Sequence, residues 1–105
     1  HMLRGRRDKR LQDITDLHAS LCQAIADSTR ILILYALGEG PCHVNELAER
    51  LNLPQATVSR HLKVLREQSL VSTRREGSYI YYRLIYQRIL KALDIMRSVK
   101  LDIVQ

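Results

Sequence analysis

The chain has 105 residues, enough for one domain with one modest core, and its 46% hydrophobic content is ordinary for a folded domain. Seventeen Lys and Arg against eleven Asp and Glu give a formal charge of +6, and such a basic surface can attract phosphate backbones, anionic lipids or acidic proteins. No apolar run approaches the ~18 residues that span a bilayer, and no signal peptide is visible, so we expect a cytoplasmic protein. Two cysteines are too few for a disulfide scaffold.

The first ten residues are expected to form a mobile basic arm in front of a domain formed by residues 11–105. His1 and Met2 look like a cloning remnant. The basic residues of the arm are Arg4, Arg6, Arg7, Lys9 and Arg10. Such a segment serves either as a solubilising tail or as an additional contact to the DNA backbone.

Two helices are predicted in the first third of the chain. Apolar residues recur at helical spacing between Leu11 and Ala26, which indicates an amphipathic first helix. Asp27 and Ser28 can cap a second helix, whose segment Ile31–Leu37 is apolar on nearly every side and should lie in the core. The sequence GEGP from Gly38 then stops it.

The next segment predicts a helix-turn-helix. Residues 44–51 have one apolar face and form a short third helix, and residues 52–54 form a turn whose proline suits the first position of a new helix. The fourth helix buries a face made of Val58, Leu62 and Leu65. Its neighbour His61 lies beside that face, so we expect a packed, hydrogen-bonded histidine.

A β-wing and a last helix complete the predicted fold, which is mainly α with a small β-hairpin. Val71–Arg75 and Tyr79–Leu84 are β-prone and are separated by a turn at residues 76–78. Residues 87–103 return to a helical pattern with a long apolar stripe. Two amphipathic terminal helices exceed what so small a core can cover, so we expect the first and last helices to form a homodimer.

The outward face of the fourth helix and the wing are the candidate DNA-binding surface. Short polar or forked side chains on a helix can read base edges in the major groove, and arginines on a hairpin suit contacts to the backbone or the minor groove. The candidate DNA-binding residues are Gln55, Ala56, Thr57, Ser59, Arg60 and Lys63 on the helix, with Arg74, Arg75, Ser78 and Tyr79 on the wing. The alternative for both the helix face and the wing is that they are simply surfaces exposed to solvent.

The residues described so far resemble a known family. The segments ADSTRILILYAL, VNELAERL, ATVSRHLKVLREQSLV and REGSYIYYRL are together similar to the ArsR/SmtB family of winged-helix repressors. The resemblance runs from about Leu17 to the C-terminus. It implies the order αααα-ββ-α, a homodimer through the first and last helices, binding to a palindromic operator, and release by an inducer such as a metal, a metalloid or a thiol-reactive species.

The usual sensing motifs of that family are altered in this chain. Where metal-sensing members carry a pair of thiolates at the start of the third helix, this chain has His43 and Asn45, with Cys42 displaced by one residue. Where zinc-sensing members place Asp and His at the start of the last helix, it has Tyr86 and Arg88, and that helix contains no histidine.

Four residues remain as candidates for metal or thiol sensing: His18, Cys22, Cys42 and His43. His18 and Cys22 have a helical i, i+4 spacing that can chelate one ion. The alternatives are a reversible thiol switch between the two cysteines and a purely structural role, with Cys22 in the core, Cys42 in a loop and His43 as a helix cap. The sequence alone does not assign a cofactor.

The sequence therefore predicts a sequence-specific DNA-binding transcriptional repressor that an inducer releases. Two alternatives are a winged-helix protein–protein interaction module and a repressor with no small-molecule inducer. An enzyme is not expected, because the sequence lacks a nucleophilic triad, paired carboxylates, a phosphate-binding glycine loop and an HExxH motif.

Overall fold

Helices make up most of the chain, and three short strands form one antiparallel sheet. The fold is described from a computed structural model that covers residues 2–105, with side chains from Asp8 onward. The elements are α1 (Met2–Leu17), a π-helical turn (His18–Cys22), α2 (Ser28–Gly38), β1 (Cys42–His43), α3 (Val44–Leu51), α4 (Gln55–Glu67), β2 (Val71–Glu76), β3 (Tyr79–Leu84) and α5 (Arg88–Val104). This is the winged helix-turn-helix order that the sequence predicted, with one added strand.

The first helix begins at Met2 and not at Leu11, so most of the predicted arm has helical backbone. Periodicity could not reveal this start, because the basic segment has few apolar residues, although Arg and Lys are good helix formers. His1 and the side chains of residues 2–7 lie outside the described residues. The division into an arm and a domain, and a contact of the arm with DNA, stay predictions.

Helix α2 is the centre of the core, as predicted. Ile33, Leu34 and Leu37 are almost completely buried and pack with residues from α3, α4 and β2. Of the two predicted caps, Asp27 is the N-cap of this helix, and its Oδ1 accepts a hydrogen bond from the Thr29 amide at 2.8 Å. That amide, first among several influences, holds the pKa of Asp27 below its ordinary value of 3.8.

We expect the Asp27 cap to make the melting temperature of the protein depend on pH in the acid range. Because the folded protein lowers the pKa of Asp27, the stabilisation is complete above pH 3.8 and is lost as the pH falls through the folded pKa. Asp27→Ala should lower the melting temperature at pH 7, with a smaller difference at pH 2 to 3. Asp27→Asn is the matched control, since Asn caps about as well without ionising. Equal losses for Asp27→Ala at both pH values would contradict this.

The three strands have the order β1-β3-β2. β3 pairs with β2 along its whole length, from Val71 opposite Leu84 to Glu76 opposite Tyr79. The sequence did not predict β1, because two residues are too few to show an alternating pattern. β1 places Cys42 opposite Tyr82 and joins the middle of β3 to the start of α3.

Helix α5 touches the rest of the molecule mainly through its first half. Leu93 is buried, and Asp94 accepts a hydrogen bond from the Tyr35 hydroxyl at 2.5 Å. A Cβ on Gly38 would collide with the Leu90 side chain, so the lack of a side chain there lets α5 approach α2 closely.

The apolar stripe on the second half of α5 is exposed. The exposed fractions of Met96, Val99 and Ile103 are 49%, 52% and 71%. Leu11 and Ile14 on α1 are exposed to a similar degree. Within the described residues, no helix is both long and apolar enough to cross a membrane.

Candidate nucleic-acid interface

Helix α3 is fixed at both ends by local hydrogen bonds. At its start, the His43 ring and the Glu46 side chain form a capping box, in which the Glu46 amide donates to His43 Nδ1 at 3.3 Å and the His43 amide donates to Glu46 Oε1 at 3.2 Å. At its end, Asn52 adopts a left-handed conformation with φ 55°, and the Leu53 amide donates to the Ala48 carbonyl at 2.9 Å. These hydrogen bonds define the path of the chain into α4.

Pro54 lies one position before the place that the sequence predicted. It is the N-cap of α4 and has extended backbone, and its carbonyl accepts hydrogen bonds from the Thr57 and Val58 amides at 3.1 and 3.2 Å. The helix proper begins at Gln55. Its first turn faces outward and can offer backbone amides to a phosphate.

The outward face of α4 is the helix surface that could enter a DNA groove. Val58, Leu62 and Leu65 are buried below it, as predicted. Gln55, Ala56, Ser59, Arg60 and Lys63 are exposed, while Thr57 is half-buried on the flank. Thr57 was expected on this outward face and is instead half-buried.

Two cations on this surface have no ion pair with the residues that the structure describes. Arg60 and Lys63 are one turn apart on α4, and neither forms an ion pair with a described carboxylate. A charge without a local counterion is available to a phosphate or a base edge, and binding then releases counterions from the DNA. This arrangement suits a DNA-reading helix.

His61 is buried beneath the outward face, with only 5% exposure. Arg30 from α2 lies with its Nη1 3.2 Å from His61 Nδ1, and Asp27 Oδ1 lies 4.0 Å from Nε2. The same guanidinium donates to the carbonyls of Ala24 and Gln23 at 2.5 and 3.0 Å. Arg30 thus connects α4 to the end of the first helical segment, and the prediction of a packed, hydrogen-bonded His61 is confirmed.

Removal of the Arg30 guanidinium should destabilise the fold. Arg30→Met keeps much of the aliphatic volume but leaves His61 and two backbone carbonyls without their donor, which should cost about 1–3 kcal/mol. Urea denaturation followed by circular dichroism measures this loss. Arg66→Met, on the exposed side of α4, is the matched control and should change the free energy of unfolding by less than about 0.5 kcal/mol. Similar values for the two variants would contradict the role of Arg30.

The two wing arginines point to opposite faces of the hairpin. Arg74 pairs in register with Tyr81 and Arg75 with Ile80, and neighbouring residues of a strand face opposite ways. Arg74 shares its face with Glu76, which lies 3.9 Å from it. The two arginines, both predicted as DNA contacts of the wing, therefore do not form a single basic face.

The tip of the wing is a two-residue turn in which Gly77 has φ 63° and Ser78 is exposed. Tyr79 follows the turn and stacks on His43, with ring centroids 4.7 Å apart and planes 22° apart. Tyr81 meets the same imidazole edge-on at 5.5 Å. Tyr79 is about half exposed, so its ring can hold the wing against α3 while its outer side faces solvent.

The four candidate sensing residues lie in two elements, His18 and Cys22 in the π-helical turn and Cys42 and His43 in β1. In the described part of the molecule, no three His, Cys, Asp or Glu side chains are grouped to hold an ion. His43 is the cap of α3, as one of the alternatives proposed, and its Nε2 lies 3.2 Å from Glu46 Oε1. The Nδ1 of His43 is therefore already used as a hydrogen-bond acceptor.

The two cysteines are free thiols in different elements. Cys22 is half-buried in the π-helical turn. Cys42 is buried, and Arg50 Nη1 lies 3.2 Å from its sulfur. This hydrogen bond is the main reason that the pKa of Arg50 is raised.

Two features that position this surface were not predicted from the sequence. They are the contact of Arg30 with His61 and the stacking of His43 on Tyr79 of the wing. Arg30 lies in a mostly apolar segment, where a single cation gives no hint of its partner. The role of His43 depends on strand β1, which is too short to detect. A histidine three residues before Glu46 is the one available signal, because that spacing is typical of a capping box.

Comparison with known proteins places this arrangement in a family. Residues 27–73 match the family described as "Bacterial regulatory protein, arsR family". The nodulation protein NolR of Rhizobium meliloti is 37% identical over 84 residues, which are 80% of this chain and 69% of NolR. The transcriptional regulator KmtR of Mycobacterium tuberculosis is 48% identical over 60 residues, which are 57% of this chain but only 46% of KmtR.

A solved structure supports the fold independently. The homodimeric winged helix-turn-helix DNA-binding domain of Mb0332 from Mycobacterium bovis superposes with a TM-score of 0.76 at 27% identity, covering 90% of this chain and 88% of that domain. The matched family segment contains α2, α3 and α4, on which the outward face is built. This chain belongs to the ArsR family of bacterial regulatory proteins.

Proposed function

We propose that two copies of this chain form a homodimer that binds a palindromic operator and represses transcription by occluding a promoter. The observation that carries the proposal is the outward face of α4. There Arg60 and Lys63 are exposed and have no described counterion, while the opposite face of the same helix is locked into the core. A rigid helix with free cations and small neighbours suits the major groove.

The roles of the surface residues follow from their positions. Ala56 and Ser59 are small and allow close approach of α4, and Gln55 lies in its first turn near the exposed amides. Arg60 is the candidate for a bidentate contact to guanine, with Lys63 closer to the backbone. Arg75 and Ser78 on the wing would contact phosphates or the minor groove.

Dimerisation is proposed from the exposed apolar surface. Leu11 and Ile14 on α1 and Met96, Val99 and Ile103 on α5 repeat at helical spacing and are largely exposed in a single copy. Large apolar patches of this kind mark interaction sites. A two-fold dimer through these helices would present two copies of α4, which is the geometry that a palindromic operator matches.

Release from the operator is proposed to depend on an inducer that favours one dimer conformation. A metal, a metalloid or a thiol-reactive species could act on Cys22 and Cys42, which are both reduced thiols. The engagement of His43 Nδ1 in the capping box favours chemistry at the two thiols. We also propose that the protein acts on bacterial DNA in the cytoplasm.

A gel shift on the DNA upstream of the chain's own gene tests the proposal. We expect a shifted complex that weakens steeply with salt. Titration of this complex with Zn(II), Cd(II), As(III), polysulfide and peroxide should identify an inducer. Cys22→Ser and Cys42→Ser should each abolish a thiol-dependent response, and neither should change the affinity for DNA when no inducer is present. Failure to shift any promoter DNA would favour the alternative of a protein–protein interaction module.

A further inference from the structure

A cavity of about 570 Å³ lies where the π-helical turn, the end of α4 and the beginning of α5 meet. Its volume is within the range of about 300–1,000 Å³ that small-molecule sites occupy. Leu21, Leu70 and Ile89 form an apolar floor that continues into the core. Arg88, Ile89 and Ala92 at the start of α5 line the cavity, and the exposed stripe proposed for dimerisation continues along that helix from Met96.

One end of this cavity carries a single charge. Arg88 is the one charged residue among those that line it, and its guanidinium lies over the Tyr86 ring at 4.9 Å. Stacking on the ring leaves the N–H edge of the guanidinium able to bind an anion, and Arg88 forms no ion pair with a described residue. Gln68 and Ser69 add polar groups at the wall.

The walls of the cavity are linked to the DNA-reading helix. The Leu70 amide donates to the Leu65 carbonyl of α4 at 2.9 Å, and the Leu70 carbonyl accepts from the Ile85 amide at 3.0 Å, just before α5. Ser69 turns the chain between α4 and β2 with φ 61°, a conformation uncommon for a residue with a side chain. The π-helical turn on the opposite wall is a feature frequent at functional sites.

We propose that this cavity binds a small amphipathic anion, an aryl or acyl group with one carboxylate or sulfonate, whose apolar part covers Leu70 and whose anionic group pairs with Arg88. The ligand would be an effector that shifts α4 relative to α1 and α5. This regulatory part rests on the proposed DNA-binding function, whereas ligand binding itself does not.

The binding test uses two fluorescent probes that share their rings, anilinonaphthalene sulfonate and the uncharged phenylnaphthylamine. The full chain should bind the sulfonate at one site per copy. Arg88→Gln should weaken the sulfonate roughly tenfold and leave the neutral probe within about twofold, because only the charged hydrogen bond is lost. Lys91→Gln, an exposed cation nearby that does not line the cavity, is the matched control and should change neither affinity.

A second pair of variants blocks the cavity itself. Ala92→Leu and Ala92→Phe place bulk at the lining position on α5 and should weaken both probes, with circular dichroism confirming that the variants fold. Amide chemical shifts on titration of the wild-type chain should change mainly at residues 20–21, 68–70 and 86–92. The proposal would be overturned if Arg88→Gln and Lys91→Gln had equal effects on sulfonate affinity, or if the chemical-shift changes were confined to the α5 stripe. It would also be overturned if a monomeric variant bound the probes and the dimeric wild type did not.

The regulatory part has its own readout. Saturating sulfonate probe should weaken operator binding about fivefold or more in the wild type, and not in Arg88→Gln. If the probe binds the cavity and leaves operator affinity unchanged, the effector role is wrong while the binding site stands. If no operator complex forms without the probe, the proposed function fails and the binding result is unaffected.

Discussion

Arg60→Ala should reduce operator affinity at least roughly 30-fold. A bidentate contact to a base discriminates by about 1–3 kcal/mol, and a dimer loses two such contacts, so the expected loss is about 2–6 kcal/mol. Fluorescence anisotropy with a labelled operator measures it directly. The fold should be unchanged, because Arg60 is exposed and forms no ion pair with a described carboxylate.

Two further variants distinguish base reading from phosphate contact at this helix. Arg60→Lys should still lose most of the discrimination between operator and random DNA, since an ammonium cannot reproduce the fork of a guanidinium. Lys63→Ala should instead weaken both DNAs similarly and reduce the salt slope by about one unit per copy. Wild-type affinity in Arg60→Ala would contradict the assignment of α4 as the reading helix.

Val99→Glu should convert the dimer into monomers. Val99 lies in the middle of the exposed stripe between Met96 and Ile103, and a carboxylate there would have to be buried without a partner at the interface. Light scattering should give the 12.2 kDa mass of one chain instead of about twice that value. Operator affinity should fall by about 10²–10⁴, because one half-site no longer benefits from the other.

Ser98→Glu is the matched control for this variant. It adds the same charge one residue away, roughly a hundred degrees around the helix, where the side chain is exposed and bonds only the Ile95 carbonyl. It should remain dimeric. A wild-type chain that is a monomer at micromolar concentration, or a Val99→Glu variant that stays dimeric, would remove the basis for the proposed two-fold arrangement.

The sequence predicted the elements of this fold because most of them carry their own local signal. Val58, Leu62 and Leu65 recur at helical spacing, and the structure buries all three. Asp27 is a favourable N-cap before an apolar segment, and the structure uses it as one. The wing was detectable from two β-prone runs separated by a glycine turn. These features depend on a few neighbouring residues, which a sequence displays directly.

Features that depend on distant residues could not be predicted. The opposite facing of Arg74 and Arg75 was implicit in strand alternation, but which side each takes follows from the register with β3. The partnership of Arg30 with His61 joins residues 31 positions apart. The pairing of β1 with β3 gives His43 its second role against Tyr79.

The central claim is that a two-fold pair of α4 helices reads DNA sequence, and selection from a random duplex library tests it most directly. Several rounds of binding by the wild-type chain, followed by sequencing, should enrich an inverted repeat with half-sites about 10 bp apart between centres. Arg60→Ala should enrich no such repeat under the same conditions. Enrichment of a single asymmetric site, or no enrichment by the wild type, would contradict the account.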